Sequence, residues 1–247
     1  MNLIVFDVEG TLTVKNPTDR ICFQEAAQLL LQSDLGEFDF SSEAYSTDTE
    51  LVFDLWNTFK KRNPTQEEFK AFQDAYYERL KYHYVRGNLV YKAMPGAQDL
   101  LRSLVTSPNW KFILTSSSWS FAAEFKLKAA GFYTRYYHVR GSEDKMSYED
   151  VISTAIQSAE TIFKESKFKR TVYIGDDLPS LKACSNLQIP YMGMNHPNEK
   201  KDNVLARFAR FNIFPSKIEF LRMIRKATVP SRRSLQPKPA LFFMSIF

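Results

Sequence analysis

The chain opens on a short unbroken apolar run, Leu3-Ile4-Val5-Phe6, stopped by Asp7. Branched and aromatic residues in so brief a run suit a strand buried on both faces, as inside a parallel sheet. Apolar positions then recur at helical spacing for a long way. "PTDRICFQEAAQLLLQ" carries that spacing, and "TDTELVFDLWNTFKKR" begins with Thr47 and Glu50 placed as a capping box. "NPTQEEFKAFQDAYYERLKYHYV" opens on Asn63-Pro64, a helix entry, and sets Phe69, Phe72, Tyr76 and Leu80 along one face. No part of residues 15–92 reads as strand, so an all-helical insert is expected there. No internal repeat is visible.

Past residue 92 the pattern alternates. A helix is predicted at "MPGAQDLLRSL", a strand at "WKFILTS", and a helix at "WSFAAEFKLKAAG" closed by Gly131. A strand near "YYHVRG" precedes the helix "SYEDVISTAIQSAETIFKES", where Ser147 and Asp150 are spaced for a cap. The strand "RTVYIGDD", the helix "LPSLKACSN" and the strand "IPYMGM" follow. Such alternation predicts an α/β fold, a Rossmann-like doubly wound parallel sheet with right-handed crossovers. Two short helices, around 204–210 and 216–225, are expected to close it. The expected plan is a core of residues 1–14 and 93–226, a helical cap at 15–92, and a basic, proline-containing tail at 227–247.

Composition adds limits. The 247 residues are 44% hydrophobic, and a 15% aromatic share argues for filled interiors rather than disorder. Cys22 and Cys184 make neither a disulfide framework nor a metal cluster, so a reducing, cytoplasmic setting is expected. The first strand already ends on Asp7, which does not suit a signal peptide, and no apolar run approaches the ~20 residues of a membrane span. The net charge of +5 is unevenly spread. Residues 199–247 hold eleven bases against three acids, leaving 22 bases against 25 acids before them. A slightly acidic body argues against a nucleic-acid partner. The tail, with Arg232, Arg233 and Lys238 before "ALFFMSIF", reads either as a disordered end or as a contact for an anionic membrane or a protein. Oligomeric state is not legible.

Ligands of open α/β sheets gather at the carboxyl ends of strands. Four polar groups are expected at such ends or at helix starts: Asp7 with Glu9, Thr115 with Ser116, Lys145, and Asp176 with Asp177. Carboxylates crowded together repel unless a cation joins them, and an all-oxygen set favours a hard ion such as Mg²⁺. A lysine and a hydroxyl beside it suit phosphate. A carboxylate set against a phosphoryl group can attack it to form an aspartyl-phosphate. A glutamate two residues on can protonate the leaving oxygen and then activate water. Plainer readings stand beside these. Asp7 and Gly10 are turn residues, "TSSSWS" is a helix-cap cluster, Asp177 is a cap, and Lys145 is a solvated lysine. His83, His138 and His196 show no ligand spacing.

Taken in order, "DVEGTLT", "FILTS", "EDKMSYED" and "YIGDD" resemble the motifs of the haloacid dehalogenase-like hydrolases, over a frame from Asn2 to Met194. The resemblance implies a Mg²⁺-dependent phosphohydrolase acting on a small phosphorylated metabolite beneath its helical cap. It implies Asp7 as nucleophile and metal ligand, and Glu9 as general acid/base whose carbonyl also meets the metal. Thr115, with Ser116 beside it, would bind phosphate, and Lys145 would neutralise charge on the phosphate and on Asp7. Asp176 and Asp177 would complete the metal site. Two positions depart from the common pattern: Glu9 stands where the family usually has Asp, as in enolase-phosphatases, and Ser180 where many relatives have another acid. Other readings are a phosphoprotein phosphatase, a module targeted through its tail, and a phosphoryl acceptor without turnover.

Overall fold

The computed structural model describes residues 1–36, 38–40, 45–194 and 203–235; His196 and residues 236–247 lie outside them. Six strands form one parallel sheet: β1 (Asn2–Asp7), β2 (Trp110–Thr115), β3 (Val139–Arg140), β4 (Arg170–Gly175), β5 (Tyr191–Met194) and β6 (Ala209–Phe211). Their order across the sheet is β3-β2-β1-β4-β5-β6. The chain winds outward from β1 through β2 to β3, then returns to β4 on the other side. The direction therefore reverses between β1 and β4, where a crevice opens at the carboxyl ends.

Period-two burial explains the opening run. Leu3 and Val5 pack with Ile113 and Tyr173 against α6 (Tyr148–Phe163) and α7 (Leu178–Asn186). Ile4 and Phe6 turn the other way, onto α4 (Ala97–Val105), α5 (Ser120–Ala129) and α9 (Lys217–Ile224). Both faces are covered, so every residue of the run is apolar.

The insert holds α1 (Thr18–Leu31), α2 (Asp48–Lys60) and α3 (Gln66–Val85). The chain leaves and rejoins the core side by side: Val14 N donates to the Lys92 carbonyl at 2.9 Å and Met94 N to that of Leu12 at 2.8 Å. Thr65, not Asn63-Pro64, caps α3, in a capping box with Glu68. At α2, Thr47 accepts from Glu50 N, while the Glu50 carboxylate reaches back to Ser46 N at 2.7 Å. Phe23, Phe72 and Tyr76 fill the insert's interior together with Trp119, which comes from the core.

One element differs in kind from its expectation. The helix expected over 204–210 ends early, as α8 (Asn203–Ala206), and residues 209–211 become β6. The open edge of β5 decides this, because its backbone groups need partners. Gly193 N donates to the Phe208 carbonyl at 2.8 Å, and without a side chain Gly193 lets the Ala209 backbone come close. Residues 227–235, expected as the start of a tail, run against the core. Tyr191 N donates to the Thr228 carbonyl at 3.1 Å, and the Ser185 hydroxyl to that of Pro230 at 2.7 Å. No helix among the described residues is long and apolar enough to cross a membrane.

Candidate active site

Asp7 ends β1 level with Thr115 of β2. Beyond it the chain folds back on itself, with Leu12 N and Thr13 N both donating to the Val8 carbonyl at 2.9 Å. Gly10 lies in this turn at φ +82°, and a Cβ there would stand 2.2 Å from Asp176 Oδ2. Only glycine lets the β1 turn meet the end of β4 so closely.

The Asp7 carboxylate is buried and held from two sides. Oδ1 accepts from the Tyr148 hydroxyl at 2.8 Å, and Oδ2 from the Thr11 hydroxyl at 3.2 Å. Burial, followed by the charges of Asp177, Asp176 and Glu9, holds the Asp7 carboxyl well above the usual carboxylate range, while the Tyr148 bond opposes the rise. The Tyr148 hydroxyl also lies 2.9 Å from that of Tyr173.

Glu9 is held as firmly. Oε2 accepts from the Ser116 hydroxyl at 2.8 Å and Oε1 from Lys126 Nζ at 2.9 Å. Lys126, on α5, is almost wholly buried and gives its second ion pair to Asp19 of α1, also at 2.9 Å. Burial alone would lower its pKa, but the carboxylates of Asp19 and Glu9 overcome that and raise it well above the ordinary lysine value. One ammonium thus ties Glu9, just after β1, to Asp19 in the helical insert.

At β4, Lys15 Nζ stands 2.7 Å from Asp176 Oδ2. Asp177 caps α7 by accepting from Ser180 N at 2.9 Å. Burial first, then the neighbouring Asp176, raises the Asp177 pKa, against the pull of Lys15 and Ser180. Between these groups and the cap lies a cavity of about 420 Å³. Asp7, Glu9 and Asp177 line its core side, and Arg20, Phe23 and Tyr76 its cap side.

The fold therefore brings Asp7, Glu9 and Asp177 to one cavity, with Asp176 reaching it through Lys15 and Ser116 standing behind Glu9. Thr115 lies beneath. It is fully buried, its hydroxyl 3.3 Å from the Phe6 carbonyl and 3.4 Å from the Tyr173 hydroxyl. Lys145 is not brought in, contrary to the expectation that placed it against Asp7. Its ammonium pairs with Asp144 at 3.0 Å and lines a separate surface pocket with Asp150 and Ser153. The reason is local: the Thr47 hydroxyl at the start of α2 holds the Lys145 carbonyl at 2.9 Å, and Lys145 N donates to Ser142 O.

Sequence reasoning missed Lys15, Arg20, Lys126, Tyr148 and Asp48, the last of which also lines the cavity. Lys126 left a signal, since it follows Trp119 and Ala122 on the apolar stripe of its helix, where a cation needs buried partners. The others left none, because residues far apart in sequence make them neighbours.

The acidic groups offer only hard oxygen donors, a set suited to a hard divalent ion. Among the described residues no three acid, imidazole or thiol side chains converge as a ready cage. Asp176 holds Lys15, and Asp177 holds the start of α7. Chemically, a buried carboxylate and a second, cation-held acid facing one cavity suit attack on an electrophile and proton transfer to its leaving group.

Solved structures share this architecture. A hydrolase from Pseudomonas syringae superposes with a TM-score of 0.61 at 17% identity, over 92% of this chain and 100% of the other. A predicted phosphatase from Clostridium acetobutylicum gives 0.55 at 16%, over 91% and 98%. A β-phosphoglucomutase from Pyrococcus sp. gives 0.52 at 16%, over 91% and 99%. At such identities the likeness is one of fold, and no curated protein matches the sequence. A family model described as haloacid dehalogenase-like hydrolase matches residues 1–187, which takes in β1, the whole insert, β2 to β4 and all four motifs. The chain belongs to the haloacid dehalogenase-like hydrolases.

Proposed function

We propose that the chain is a phosphohydrolase that cleaves the phosphate monoester of a small metabolite through an aspartyl-phosphate on Asp7. One observation carries this reading: Asp7 and Glu9 face the same cap-covered cavity, each with its two carboxylate oxygens held by named donors. The phosphatase and phosphoglucomutase among its structural neighbours support phosphate as the group transferred.

Asp7 attacks phosphorus, and the bond to the leaving oxygen breaks. Glu9 gives that oxygen its proton, then takes one from the water that hydrolyses the acyl phosphate. Ser116 and Lys126 fix the position of the Glu9 side chain, which is protonated before the first step, and Lys126 balances its charge once it is ionised for the second. Ser117 and Ser118, which line the cavity, are better placed than Thr115 to meet phosphoryl oxygens. Asp7 and Asp176, with the Glu9 carbonyl and Asp177 beside them, would hold Mg²⁺, which when bound neutralises charge on phosphate and nucleophile. Arg20, Phe23 and Tyr76 close the cavity from the cap, and about 420 Å³ suits a small leaving group rather than a folded protein.

The test is phosphate release from a panel of phosphorylated metabolites, with acid-quench trapping of labelled enzyme. Asp7→Asn should fold, release no phosphate and trap no label. Release at the wild-type rate by that variant would remove Asp7 as nucleophile.

A further inference from the structure

Lys15 enters the acid cluster from the side of the insert's first linker. It lies on the linker where the chain leaves the core for the cap, one residue beyond the Val14–Lys92 hydrogen bond. Its stem comes in from the surface, its side chain 41% exposed, while the Asp176 side chain it pairs with at 2.7 Å is wholly buried. The charges of Asp177 and Asp7 act on the same ammonium. The seat is shaped for it: a Cβ on Gly10 would come within 2.6 Å of Lys15 Cε as well as striking Asp176. The cluster at the ends of β1 and β4 thus carries a tethered cation of its own.

We propose that Lys15 is an internal counter-cation that competes with a divalent ion for Asp176, so that Mg²⁺ binds only by displacing the ammonium from the cluster. This rests on the metal site of the phosphohydrolase reading. A lysine ammonium and a hard divalent ion seek the same carboxylate oxygens, and the oxygen that Lys15 takes is buried within the cluster. The tether makes the competition intramolecular, so added salt cannot wash the competitor away. Because Lys15 sits on the cap linker, its release also removes one tie between core and cap.

Isothermal titration of Mg²⁺ into the 247-residue chain, without substrate, tests this directly. Lys15→Met should bind Mg²⁺ about tenfold more tightly than wild type, Lys15→Gln should follow it, and Lys15→Arg should stay close to wild type. Asp176→Asn should lose binding. If Lys15→Met and Lys15→Gln keep wild-type affinity while Asp176→Asn loses it, the metal site stands and the competition is refuted. If Mg²⁺ binds Asp176→Asn as it binds wild type, or binds no variant, the proposal falls together with the assigned metal site.

Discussion

Tyr148 donates its hydroxyl to Asp7, the acid beside which the family resemblance sets Lys145. The two residues stand three apart, on either side of the start of α6, yet the turn before that helix sends one inward and the other to the surface. The phenol is neutral, so it orients Asp7 without cancelling its charge. Removing the oxygen alone should therefore slow chemistry while leaving substrate binding intact. Tyr148→Phe is expected to lower kcat about tenfold, the worth of one hydrogen bond to a charged group, with KM unchanged. Lys145→Ala should change neither. A Tyr148→Phe enzyme at wild-type kcat, or a Lys145→Ala enzyme that has lost turnover, would reverse these assignments.

At the scale of elements, the helical insert is fastened to the core. The start of α2 sits on core loops: Asp48 N donates to the Ser117 carbonyl at 2.9 Å, and the Thr49 hydroxyl to that of Glu143 at 2.9 Å. Trp119 completes the joint. Its indole N–H donates to the Thr49 hydroxyl at 3.1 Å, and its ring stacks on Phe23 of α1 with centroids 6.1 Å apart. A core residue thus fills the cap's interior, and the two share apolar burial. Trp119→Ala should cost about 3–5 kcal/mol in denaturant unfolding, in line with large core truncations, and should open the insert to limited proteolysis. A loss below about 1 kcal/mol would mean that the cap holds without this plug.

For the molecule as a whole, the acid cluster makes function and stability pull in opposite directions. The fold raises the pKa of Asp7, so its contribution to stability is fully present below the unfolded value of 3.8 and is lost as pH rises through the raised one. Ionised Asp7 is then a burden among Asp177, Asp176 and Glu9. Asp7→Asn keeps the shape and drops the charge. At pH 7.5 with chelator present it should melt roughly 2–4 °C above wild type, about 1 kcal/mol, and the gap should close toward pH 4. Equal melting at both pH values would mean that the charge is not strained. A variant more stable and inactive is the pattern expected of a residue kept for chemistry.

What the sequence determined by itself was periodic or contiguous. The strand runs, the helical insert and the acids at strand ends follow from local spacing, since side chains alternate along a strand and recur every 3.6 residues on a helix. Local spacing was also enough to pair Asp7 with Glu9, because one turn carries both. Apart from Thr11, four residues on from Asp7, tertiary structure decided what surrounds them. Asp7 meets Tyr148 across 141 positions and Glu9 meets Lys126 across 117, and no local pattern encodes such contacts. The same holds for β6, where a segment with helical spacing gave way to an open sheet edge whose hydrogen bonds outweighed a weak local preference. It holds too for Lys15, whose place in the acid cluster depends on the turn at Gly10 that brings the ends of β1 and β4 together.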